Sequence, residues 1–145
     1  MPKGSTACND YLKLLFNATA IANIADNAAS SPLTNLYLAL HTADPTAAGN
    51  QTSSEATYTN YARVAVSRAA GAGGWTVSTN TVSNTSLVQF PQCGVTGNTV
   101  SYVSIGTATS GTGKLEYVGA LSIPLAVSLL IQPQFAPSAL VATET

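Results

Sequence analysis

Charge is what this chain has least of. Among its 145 residues stand five Lys and Arg and six Asp and Glu, 8 % in all, where an ordinary soluble domain carries roughly 25 %. The five cations, Lys3, Lys13, Arg63, Arg68 and Lys114, are scattered, and proteins that neutralise phosphates gather theirs on one face. Nucleic acid is therefore excluded as a partner. Histidine occurs once, at His41, and cysteine twice, at Cys8 and Cys93, outside any C-x-x-C pair. So few soft ligands cannot assemble a zinc site. Two thiols make no disulfide framework; they could form one bridge, but two small buried apolar residues is the simpler reading. Long apolar runs are also missing, so nothing spans a membrane. The N-terminal stretch only imitates a secretory signal, because Asp10, Lys13, Asn17 and Thr19 enter or flank its apolar part. The chain reads as cytosolically made.

What is present is a large apolar share, 46 % of residues in a single domain's length. That combination excludes disorder, which goes with few apolar groups and much charge. Thr, Ser, Asn, Gln and Ala cover the surface in place of ions. Such a surface packs against other protein with little desolvation cost, which points to a working life inside an assembly.

The organisation divides into residues 1–30, an N-terminal arm and helix, and residues 31–145, one β-sandwich domain. In the first, Asn9 reads as an N-cap and Asp10 as a first-turn acid. Tyr11, Leu14, Leu15, Ala18, Ile21, Ala22 and Ala25 recur at helical spacing, and Leu12, Phe16 and Ile24 widen the apolar face. A helix so broadly apolar either caps one end of the sandwich or lies between its own sheet and a neighbouring subunit. On the second reading Tyr11, Leu12, Leu15 and Phe16 are the subunit-contact residues. Beyond Ser31 the period is two. Strands are expected at 35–41, 61–68, around Trp75 and Val77, from Val82, at 87–90, 99–105, 114–121, 123–131 and 139–143, with Gly, Pro, Asn and Ser turns between them. No helical stretch separates them. The expected fold is all-β: a jelly-roll-like antiparallel β-sandwich of about eight strands with one N-terminal helix.

The chemistry-bearing motifs fail one by one. His41 is followed by Thr42-Ala43-Asp44-Pro45, which reads as a strand end and an Asp-Pro turn rather than part of a triad. The six carboxylates are dispersed, with neither an acid–base pair nor a D-x-D-x-D calcium loop. Residues 106–114 (GTATSGTGK) superficially resemble a phosphate loop, but Lys114 is followed by Leu115 and the context is strand-turn-strand. The expectation is no catalytic residue, no metal and no cofactor.

A resemblance narrows the role. The run Leu36-Tyr37-Leu38-Ala39-Leu40-His41-Thr42-Ala43-Asp44-Pro45 is similar to a segment of small virion proteins of tailed bacteriophages. So are Gly49-Asn50, Tyr58, Tyr61-Ala62-Arg63-Val64, Gly74-Trp75, Phe90-Pro91, Ser104-Ile105-Gly106 and Leu115, Tyr117, Gly119, Ala120 and Leu121. The resemblance covers about residues 35 to 143, and relatives carry the labels of tail-fibre protein and of capsid cement or decoration protein. Its nearest form, the cement proteins of short-tailed phages, implies a jelly-roll module made in the host cytoplasm and carried on the outer surface of the capsid. There it would clamp neighbouring copies of the major capsid protein and pair with itself as a homodimer, a trimer being the other possibility. The alternative is a tail-fibre or receptor-binding module, in which Trp75 and the tyrosines would offer faces for sugars.

Overall fold

The computed structural model describes residues 3–21 and 32–145. Over these described residues the chain is all-β, with antiparallel sheets and one short N-terminal helix, the class expected of a sandwich. It forms two compact units.

Unit 1 comprises residues 1–35, 66–88 and 135–145. Its helix α1 (Ser5–Asn17) begins after Gly4, with no side-chain cap, so Asn9 and Asp10 lie inside the helix rather than at its start. It also ends earlier than its apolar spacing predicts. Ala18 turns into the left-handed region (φ 52°) and Thr19 N–H bonds back to Lys13 O at 3.1 Å, closing the last turn. Of the expected continuation, residues 22–25 lie outside the described residues. Arg68 secures this terminus: its guanidinium donates to Leu15 O (2.6 Å), Leu14 O (2.7 Å) and Leu33 O (2.6 Å). A cation here satisfies the orphan carbonyls and complements the negative end of the helix dipole.

The sheet of unit 1 has the order β3 (Trp75–Ser78), β4 (Thr81–Asn84), β9 (Val141–Thr143), antiparallel throughout. The turn expected at Asn80 closes the β3–β4 hairpin, with Ser78 opposite Thr81. Asn84 is buried and satisfied: its amide donates to Ser86 O and Ala136 O, and its Oδ1 accepts from Leu140 N–H. This ties β4 to the chain entering β9 and removes the cost of an unpaired buried amide.

Unit 2 comprises residues 36–65 and 89–134 and holds most of a four-stranded sheet. The sheet order is β2 (Val64–Ser67), β1 (Asn35–His41), β6 (Asn98–Gly106), β7 (Leu115–Val127). In β1–β6, Tyr37 faces Gly106 and His41 faces Tyr102. Strand β1 has the expected span, and apart from half-buried Asn35 and Tyr37 all of it is buried, as a central strand should be. A short pair, β5 (Val88–Gln89) and β8 (Gln134–Phe135), completes the strands; β8, between Pro133 and Pro137, was not expected.

The two strands predicted over 114–121 and 123–131 are one. Val100 faces Leu125 and Tyr102 faces Ala120, so residues 121–124 bulge from a continuous ladder. Pro124 has no N–H to give that ladder, and a bulge is where such a residue is tolerated. Residues 128–131 form a turn, in which Ile131 N–H bonds Ser128 O at 2.9 Å.

Candidate contact surface

His41 is fully buried and held from both sides. Its Nδ1 lies 2.9 Å from Ser53 O, which can only accept, so Nδ1 carries the proton and Nε2 accepts from the Ser104 hydroxyl at 2.8 Å. A serine bonded to an oriented imidazole is the geometry of a nucleophile and its base. Ser104 is as buried as His41, however, so the pair has no face open to a substrate. It closes the polar account of the core under the 42–56 loop. Burial pushes the His41 pKa below its ordinary value of 6.5, with the Ser53 contact opposing less strongly. The unfolded chain therefore binds the extra proton first, and stability falls as pH drops below about 6.5. Thermal melts at pH 7.5, 6.0 and 5.0 should show this, with a slope of at most ~1.4 kcal/mol per pH unit from this group. His41→Gln should flatten the profile, and an unchanged profile would refute the assignment.

Near it, Arg63 makes a forked ion pair with Glu55: Nε to Oε1 at 2.7 Å and Nη2 to Oε2 at 2.8 Å. The same guanidinium donates to Ala108 O and Gly111 O, and Tyr61 donates to Glu55 Oε1 while accepting from Leu40 N–H. Burial raises the Tyr61 pKa, and that of Tyr58 to about 12, so both phenols stay protonated as donors. Tyr58 and Tyr61 meet edge to face at 5.2 Å, and Tyr61 stacks on Phe90 at 6.3 Å. Tyr58 and Phe90 are buried, while Glu55, Tyr61 and Arg63 line an open groove beside residues 109–111. Among the described residues, no three of His, Cys, Asp and Glu gather where they could hold a metal.

The helix residues expected to touch a neighbouring subunit separate in the structure. Leu12 and Phe16 have no exposed surface and belong to the core of unit 1, with Phe16 edge-on to Trp75 at 4.8 Å. They have no area left to offer a partner. Leu15 is half-buried, and Tyr11, about a third exposed, is the most open of the four. Trp75 is likewise buried and presents no face to a sugar. Cys8 and Cys93 are both free and buried.

Exposed apolar surface lies instead at one end of unit 2. Val95 is 83 % exposed, Ile123 78 %, Leu130 66 % and Leu129 60 %, with Ile131 and Leu125 also open. The backbone joins most of these into one patch. Leu130 N–H bonds Cys93 O at 3.0 Å, Cys93 N–H bonds Ile131 O at 2.8 Å, and Asn98 pairs with Val127. Singly scattered exposed aliphatics are ordinary on a monomer, whereas several gathered in one patch mark a contact site. Leu130 also sits at φ 66°, third in the Ser128–Ile131 turn, where Gly or Asn is the unstrained choice. The other left-handed non-glycine residues are Ala, Ser, Thr and Asn, all small or polar. A bulky aliphatic there costs about 1 kcal/mol or more. This surface is the candidate site. A sequence signal for it existed: Leu129-Leu130-Ile131 does not alternate, and three consecutive exposed apolar residues are an error unless they are used.

On the same unit, Asp44, Thr46, Tyr102, Glu116, Tyr117 and Val118 help line an open groove of about 600 Å³. It lies between the 44–47 loop and the β6–β7 pair.

A family model described as Podophage GP4 fiber I protein gp80 matches residues 11–143. No curated protein matches the chain.

Proposed function

This chain belongs to the podophage GP4 fiber I protein gp80 family, structural virion proteins of short-tailed phages rather than enzymes, and from that premise we propose that it is a fibre subunit held in the particle by apolar contact. The observation that carries the proposal is the aliphatic end of unit 2. Six exposed Val, Leu and Ile side chains, one in a strained turn, stand in a chain with 8 % charge. Covering them would contribute at roughly 25 cal/mol per Å², by an attraction that salt screens little. Many copies on one particle multiply a modest contact into firm attachment. If the fibre also touches the host, the groove beside Tyr102 and Tyr117 is the place for it, since aromatic faces and the carboxylates of Asp44 and Glu116 suit sugar hydroxyls.

A second reading, a capsid cement protein on the outer surface of the head that binds the major capsid protein, is favoured by the resemblance over residues 35–143 and by the neutral surface. Both place the protein in the virion. Antibody-gold labelling of purified particles separates them: label on the tail appendages supports the fibre, and label over the head supports the cement protein. Particles without the protein would refute both.

A further inference from the structure

The groove between the 44–47 loop and the β6–β7 pair carries charge of one sign, and we infer that it takes a ligand bearing a protonated primary amine. The inference rests on the reading of this groove as the place where the fibre touches the host, and it names the class of ligand held there. Only six carboxylate side chains occur in the chain, yet two of them, Asp44 and Glu116, line this one groove. None of the described residues lining it is a cation. A neutral ligand seated here would strip water from two anions and return no countercharge, whereas an ammonium returns it. The rest of the lining suits the carrier of that amine. Tyr102 and Tyr117 offer aromatic faces to a cation and its attached carbons, and Leu115 and Val118 add aliphatic surface. At about 600 Å³ the groove has the size of a small-molecule site.

The protein already holds an ammonium against one of these carboxylates. Lys114 Nζ stands 3.0 Å from both Glu116 oxygens. The Lys114 side chain is 71 % exposed and the Glu116 side chain only 8 %, so the carboxylate stays in the wall and the lysine can leave at little cost. Lys114 is thus a built-in competitor for the ligand's amine. On the loop side, Asp44 is set in place by Thr46, whose N–H donates to Oδ1 at 2.8 Å; Oδ2 makes no hydrogen bond within the described residues. Such a turn fixes the carboxylate before a ligand arrives, which lowers the entropy lost on binding. Two sources of the amine fit two acids on different elements. An amino sugar bonds one carboxylate through nitrogen and the other through a hydroxyl, and an aliphatic diamine bonds both through nitrogen.

Heteronuclear NMR of the full chain tests this, with glucosamine, glucose, N-acetylglucosamine and 1,4-diaminobutane each added to ~10 mM. Glucosamine should shift the amide signals of residues 44–47 and 115–118. Glucose and N-acetylglucosamine, which share its ring but carry no cationic nitrogen, should not. A response to 1,4-diaminobutane as large as that to glucosamine supports the inference with a bare aliphatic amine as ligand; a smaller or absent one supports it with an amino sugar. Asp44→Asn, which keeps an acceptor for Thr46 N–H, and Glu116→Gln should each weaken glucosamine binding roughly tenfold. Lys114→Gln should do the reverse and tighten it about threefold, since the internal competitor is gone. Equal shifts from glucose and glucosamine, no shift in this groove from either amine, or a Lys114→Gln variant that binds more weakly overturns the inference. The two readings fail separately. An unresponsive groove leaves the fibre reading to the particle labelling, and particles without the protein would remove the fibre reading while the measured amine binding stood.

Discussion

Phe16→Ala should destabilise the protein by about 3–5 kcal/mol, with the Trp75 fluorescence shifting to the red in the same variant. Phe16 has no solvent exposure and sits edge-on to the Trp75 indole, ring centroids 4.8 Å apart at 68°. Truncation removes the apolar burial, the aromatic pair worth up to ~1.5 kcal/mol and the packing of the cavity wall. Leu12→Ala, at an equally buried position of the same helix, should cost about 2–5 kcal/mol. Tyr11→Ala should stay near ~0.5 kcal/mol, as surface substitutions do. Urea unfolding of the three variants checks the ordering. If Phe16→Ala were harmless to folding but released the protein from particles, the helix would be a contact element after all, as its broad apolar face first suggested.

That contrast shows where sequence reasoning reaches and where it stops. The apolar spacing of Leu12 and Phe16 identifies a face that must be covered, but hydrophobic periodicity says nothing about whether the cover is the same chain or another. Strand β1 and the β3–β4 hairpin were legible because local alternation and turn residues decide them. The helix ends were not. Asn9 is a better cap by composition than Gly4, yet the helix starts at Ser5, and Ala18 leaves it for a left-handed conformation that nothing in an alanine-rich stretch announces. The candidate surface was hidden for a related reason. An apolar run from 123 to 131 reads as one strand until the β6 register pushes residues 121–124 out of the ladder and the Ser128–Ile131 turn exposes Leu129, Leu130 and Ile131. His41 was readable as structural, since a lone imidazole beside an Asp-Pro turn had no partner in sequence; its actual partner, Ser104, stands 63 residues away.

The forked pair between Arg63 and Glu55 was legible least, and its removal should rank with Phe16→Ala in effect. In an alternating strand Arg63 reads as an outward residue, yet its side chain is only 2 % exposed and the Glu55 side chain 17 %. Arg63→Met should cost about 3–5 kcal/mol, because it leaves a largely buried carboxylate without its cation. It also removes the guanidinium donor from the carbonyl of Ala108 and leaves that of Gly111 with the Gly113 N–H alone. Amide hydrogen exchange in residues 106–113 should therefore accelerate in this variant, even below the temperature at which the protein unfolds. Arg63→Lys should recover only part of the loss, since one ammonium cannot reproduce a two-pronged bond to a carboxylate while reaching two carbonyls. The double variant Arg63→Met/Glu55→Leu isolates the charge. Replacing both partners removes the stranded carboxylate, so the double variant should be more stable than Arg63→Met alone. It should still fall short of wild type, because the Tyr61 hydroxyl, which donates to Glu55 and accepts from Leu40 N–H, loses its acceptor. A double variant no better than the single one would mean that the two carbonyl contacts, and not the ion pair, hold the 106–113 turn in place.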